Sequence, residues 1–156
     1  MRKQFFVMVA LAASMAGCGE SASSTNTECP PGQVRCGGQC IDEIAPNLTA
    51  IQEQIFDQSC TTFTACHLGD QPAEGLDLSS VAASAEDLIG IESEQVDGKL
   101  RVAPNDSDAS YLVNKITGVG LAPNTLRMPI SARFEILCEP QIDAIREWID
   151  LGAPIQ

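Results

Sequence analysis

The chain is poor in several things at once, and each shortage narrows what it can be. Aromatic residues make up only 4% of its 156 residues, so any core must be built mostly from aliphatic side chains. Positive charge is scarce: nine Lys and Arg stand against 21 Asp and Glu, a formal charge of −12. A body this acidic repels phosphate backbones and anionic membrane faces, which excludes nucleic-acid binding. The natural partner has a basic docking face. No apolar run approaches the roughly 20 residues of a membrane-spanning helix; Phe5–Ala13 is a run of nine. Histidine occurs once, at His67. The acidic residues show no paired spacing that singles out acid–base catalysis, and no internal repeat is visible, so no enzyme activity is expected. At about 100–200 residues per domain, the length allows one domain plus processing segments.

What is present begins with export. Arg2 and Lys3 precede the apolar run, and Ser14-Met15-Ala16-Gly17 leads into Cys18. This charged, apolar, small-residue order is that of a secretory signal. Small residues directly before a cysteine resemble a bacterial lipobox, which implies a signal peptide over 1–17 and lipidation at Cys18. Gly19 after that cysteine, by the same resemblance, favours outer-membrane anchoring on the periplasmic or cell-surface side. Ordinary cleavage nearby, with Cys18 left free, is the plainer alternative. Residues 18–28 are small and polar and read as a flexible tether. Cleavage before Cys18 would leave Met128 as the only methionine.

Residues 29–44 hold Cys29, Cys36 and Cys40 among Pro and Gly, with little apolar content. In an exported chain such a segment is expected to be held by disulfides, and a zinc knuckle is the sharper alternative. With Cys138, four cysteines then allow three pairings, left open here. Over residues 46–59, Leu48, Ile51, Ile55 and Phe56 share one helical face, with Asn47 as cap. A short helix is expected over 85–91. Another should hold Tyr111, Leu112, Lys115 and Ile116 and end at Gly118 and Gly120. A last helix starts at Glu139-Pro140, carries Ile142, Ile145, Trp148 and Ile149 on one stripe, and stops at Gly152. These patterns predict an all-α domain over 45–154 in which the first and last helices cross and pack, preceded by the disulfide-rich segment.

The string with the most chemistry is Cys60-Thr-Thr-Phe-Thr-Ala-Cys66-His67. A cysteine pair followed at once by histidine is the arrangement of covalent haem attachment: two thiols fix the ring edge, and the histidine can ligate the iron. Further along stand Val102-Ala103-Pro104-Asn105-Asp106, Ser110-Tyr111-Leu112, Met128-Pro129 and Ile145-Arg146-Glu147-Trp148-Ile149-Asp150-Leu151-Gly152-Ala153. In this order the pieces resemble the cytochrome-c-like domain of bacterial surface lipoproteins, often called planctomycete-type. The resemblance implies a small helical fold, one haem c, and Cys60 and Cys66 as thioether residues. It also implies His67 and Met128 as axial iron ligands, Trp148 at the pocket wall and a redox protein as partner. The usual attachment string has two residues between the cysteines; this one has five, so the loop must bulge for both sulfurs to reach. Where that family has glycine after the turn proline, Asn105 stands here, and asparagine tolerates a positive φ.

Other readings of the same residues stay open. Cys60 and Cys66 are compatible with a disulfide. Cys60, Cys66, His67 and Cys138 could form a zinc quartet if reduced. Met128 could be a core filler, and Trp148 is most simply a core residue. The alternative function is a haem-free, disulfide-stabilised surface module that binds a protein or a glycan.

Overall fold

In a computed structural model the described residues are 28–130 and 136–156. The expected signal peptide, Cys18 and all of the expected tether but Glu28 lie outside them.

The chain opens with a β-hairpin, β1 (Gln33–Cys36) and β2 (Gln39–Asp42), paired antiparallel with Val34 opposite Ile41. The turn is Gly37-Gly38, with φ of 55° and 97°. A two-residue hairpin loop with both φ values positive matches the twist of its strands, and glycine adopts it without steric cost. The fold is therefore a mixed α/β one, and the all-α expectation is corrected. The two-glycine turn between short alternating runs lets residues 33–42 satisfy their backbone groups in a ladder instead of a bare disulfide loop.

Two disulfides fix this hairpin. Cys29–Cys40 closes it on itself, and Cys36–Cys138 ties it to the start of the last helix. The expected disulfide-rich N-terminal segment is present, in that pairing, and the zinc-knuckle alternative falls away because these cysteines are oxidised. Ile44, just beyond β2, is buried in the main core and Ile41 packs against it.

α1 (Leu48–Ile51) begins at Asn47, whose Oδ1 accepts from the Ala50 amide at 2.9 Å. The helix then widens into a π-helical run, Gln52–Cys60. The Thr61 amide donates to the Phe56 carbonyl five residues back, at 3.1 Å. Sequence periodicity gave no sign of this wider turn. The apolar face falls where the spacing put it, with Leu48, Ile51, Ile55 and Phe56 all buried. Gln52 is buried as well, and its side chain donates to the Leu78 carbonyl at 2.7 Å and accepts from the Ser84 hydroxyl at 2.7 Å. It thereby links the first helix to the middle of the chain.

α2 (Val81–Leu88) starts earlier than expected, because Ser80 caps it by accepting from the Ala83 amide at 3.2 Å. Beyond it, single bridges join Ile89 to Val102 and Glu92 to Leu100. The 104–106 turn carries Asn105 at φ 67°, and its amide donates to the Ile149 carbonyl at 2.8 Å. α3 (Tyr111–Thr117) ends at Gly118 with φ 80°, where a side chain would press on Arg127.

α4 (Glu139–Asp150) carries the expected stripe, and Ile142, Ile145, Trp148 and Ile149 are buried with Ala144. It contacts α1, α3 and β1. The stripes of the first and last helices share one aliphatic core around Trp148. Its indole donates to the Pro154 carbonyl at 2.8 Å, which settles its single polar atom.

Candidate functional site

Between the end of the first helix, the 61–78 segment, α3 and the loop after α3 lies a cleft of about 210 Å³ that opens to the surface. That is below the roughly 300–1,000 Å³ of sites that enclose a drug-sized ligand, so a larger planar group would be held by part of its surface. Cys60, Cys66, His67 and Met128 all line it. The sequence had these four residues spread over 69 positions from first to last.

The wide end of the first helix delivers Cys60 into the cleft. The chain then loops out and returns: the His67 amide donates to the Cys60 carbonyl at 3.2 Å, and the Ala73 amide to the Cys66 carbonyl at 2.9 Å. The five-residue insert is absorbed in this closed loop, which keeps both cysteines at the cleft. Neither is in a disulfide. Burial pushes the Cys60 thiol up to about 11, with the nearby Cys66 sulfur adding to that and the Ser59 side chain opposing it.

His67 is fixed by its own surroundings. Its carbonyl accepts from the Leu78 amide at 2.9 Å, and its Nδ1 lies 3.1 Å from the Leu76 carbonyl. A carbonyl can only accept, so Nδ1 carries the proton in that bond. This leaves the lone pair on Nε2, the tautomer that a metal-binding imidazole needs. Burial lowers the His67 pKa below the usual imidazole value, the Arg101 and Lys115 charges lower it further, and backbone hydrogen bonds oppose the shift. The ring is therefore neutral near pH 7.

Met128 reaches the cleft on the loop after α3. Its amide donates to the Lys115 carbonyl at 2.8 Å, and Arg127 Nε donates to the Ile116 carbonyl at 2.7 Å. Tyr111 steadies the same loop, since its hydroxyl accepts from the Ala122 amide at 3.3 Å. Phe56, Leu78, Leu88 and Ile116 supply apolar walls.

One implication of the resemblance and one of the alternative readings fail here. Trp148 does not line the cleft; it is wholly buried in the core, where its indole has filled the space between the end helices. Cys138 is bonded to Cys36, so the quartet with Cys60, Cys66 and His67 does not exist. Among the described residues no three His, Cys, Asp or Glu side chains form a metal-holding group.

The sequence reading also missed two lining residues, Arg101 and Lys115. Arg101 is buried, and its guanidinium donates to the carbonyls of Glu74 (2.7 Å), Asp87 (2.9 Å) and Gly75 (3.3 Å). Lys115 Nζ is buried without a hydrogen-bond partner among the described residues. Burial lowers its pKa below the usual ammonium value, with Tyr111 and Glu74 acting the other way. A signal for Lys115 was in the spacing: it falls on the same expected helical face as Tyr111, Leu112 and Ile116.

The donor set suits a haem: two thiols outside any disulfide, a neutral imidazole with its lone pair on Nε2, and a thioether on one largely apolar cleft. No family model, curated protein or solved structure matches the chain.

Proposed function

We propose that the protein is an exported, lipid-anchored carrier of one covalently attached haem c that serves electron transfer and has no organic substrate of its own. The observation that carries this reading is the convergence of Cys60, Cys66, His67 and Met128 on a single cleft. The motif resemblance to cytochrome-c-like domains of bacterial surface lipoproteins agrees with it.

Bound there, the haem would supply a reversible one-electron change at its iron. The chain's own residues have separate tasks. Cys60 and Cys66 would hold the haem through thioether bonds, an addition of each thiol across a vinyl group that would consume no oxidant. His67 offers Nε2 as a ligand, held in that tautomer by the Leu76 carbonyl. Met128 offers a soft thioether, which raises a potential relative to harder ligands. The apolar walls limit water. The acidic body suits a redox partner with a basic face, and the lipid at Cys18 would keep the protein at the membrane without a spanning helix. Among the described residues no helix is long and apolar enough to cross one.

The test is an absorption spectrum of protein purified from an export-competent, haem-supplied host. The proposal expects a Soret band that stays with the protein after denaturation. Colourless, folded protein would instead support the haem-free binding module.

A further inference from the structure

We infer that Lys115 is the anion anchor of this cleft: its ammonium pairs with an ionised carboxylate on the group that fills it, a propionate of haem. This rests on the function proposed above and deepens it.

Four observations carry it. Lys115 lines the cleft, and its Nζ is shut off from water with no hydrogen-bond partner among the described residues. A buried ammonium without a partner is costly, and lysines elsewhere normally snorkel their charge to solvent. Two carboxylates, Glu74 and Glu94, also line the cleft, but neither forms an ion pair with Lys115. Glu74 is near enough to favour the charged form, yet the one ion pair among the described residues is Arg146–Asp108, at the surface. Arg101, a second cation lining the cleft, spends its described hydrogen bonds on backbone carbonyls and forms no ion pair among the described residues. A chain with only nine Lys and Arg against 21 acids thus has two of its cations lining one largely apolar cleft, beside those two carboxylates. An apolar body with a carboxylate edge satisfies both features, the walls taking the body and Lys115 the edge.

The experiment uses the full chain produced without haem attachment, titrated with haem and with haem dimethyl ester, whose carboxylates are blocked. Binding is read from the Soret shift, and melting temperature is measured with and without haem. Wild type should prefer the free acid by about tenfold or more, the size of a charge-assisted hydrogen bond. Lys115→Met should erase that preference while leaving ester binding unchanged, and Lys115→Arg should keep it. Lys115→Met should also raise the ligand-free melting temperature, because it removes an unpaired buried charge. Equal wild-type binding of acid and ester, a preference that survives Lys115→Met, or a lower ligand-free melting temperature in that variant would overturn the anchor and leave the haem reading standing. Binding of neither compound by wild type would overturn both.

Discussion

At the scale of single residues, geometry rather than residue type separates the functional candidates from the bland ones. His67 is the only histidine, and its importance could be read from Cys66-His67 alone. Its tautomer could not, because the Leu76 carbonyl that sets it arrives from nine residues away. Under the proposed function, Met128→Ala should remove the weak charge-transfer band of a methionine-ligated ferric haem and lower the midpoint potential. If wild type lacks that band, Met128 is not a ligand. Cys60 makes a separate prediction for the haem-free chain. With its thiol pushed up to about 11, the folded state holds the proton more tightly than the unfolded one. That contribution to stability is full below the ordinary thiol value of 9.0 and is lost as pH rises from there towards about 11. Alkylation of Cys60 near pH 8 should therefore be slower in the folded chain than in urea by on the order of a hundredfold. Equal rates would mean that the thiol is exposed. Asn105 was legible in the sequence: at φ 67° it occupies a conformation that asparagine accepts and branched residues do not.

At the scale of elements, long amphipathic patterns were readable and short-range exceptions were not. The stripe on α4 and the face of the first helix were visible as spacings, because burial of one side imposes that period. The π-helical widening at 52–60 was invisible, since it shifts hydrogen bonds without changing which residues are apolar. The hairpin was missed although Gly37-Gly38 marked its turn; its strands are four residues each and largely uncovered, so hydrophobic alternation is faint. Trp148→Ala should cost about 3–5 kcal/mol in chemical denaturation, since a fully buried indole between both end helices leaves a cavity that cannot collapse. A loss under about 1 kcal/mol would show that the end helices do not depend on it. The two disulfides should differ. Cys36–Cys138 spans 102 positions and Cys29–Cys40 spans 11. On chain entropy, replacing both cysteines of the first pair by serine should cost about 4–5 kcal/mol, and of the second about 3 kcal/mol. The reverse order would mean that Cys36–Cys138 is not a long-range clamp.

At the scale of the whole molecule, the hairpin, the helices and the cleft form one connected arrangement. The N-terminal hairpin is tied to α4, α4 packs on α1 and α3, and the elements leading from α1 and α3 carry the cysteines and Met128 to the cleft. The cysteine count told that disulfides were present, but pairing is a property of the fold, and three pairings were equal on paper. The gathering of Cys60, Cys66, His67 and Met128 could be expected only through resemblance, because spacing says nothing about closure over 61 positions between His67 and Met128. The two cations of the cleft were not anticipated at all: net charge averages over the surface and hides a local balance, in which Arg101 and Lys115 stand beside Glu74 and Glu94. Under the proposed lipid anchoring, Cys18→Ser should move the protein from the membrane fraction to the soluble one with its denaturation curve unchanged. Unaltered fractionation would rule out the lipid anchor.

The central claim is that Cys60 and Cys66 hold a haem, and non-reducing peptide mapping of the exported, folded protein tests it most directly. Trypsin, cutting at Arg35 and Lys99, releases the stretch that contains both cysteines. Cys36 and Cys40 keep it linked through their disulfides to the peptides bearing Cys138 and Cys29. The account predicts that this linked species carries the mass of one haem and no bond between Cys60 and Cys66. A species without haem, with Cys60 and Cys66 joined to each other, would contradict it.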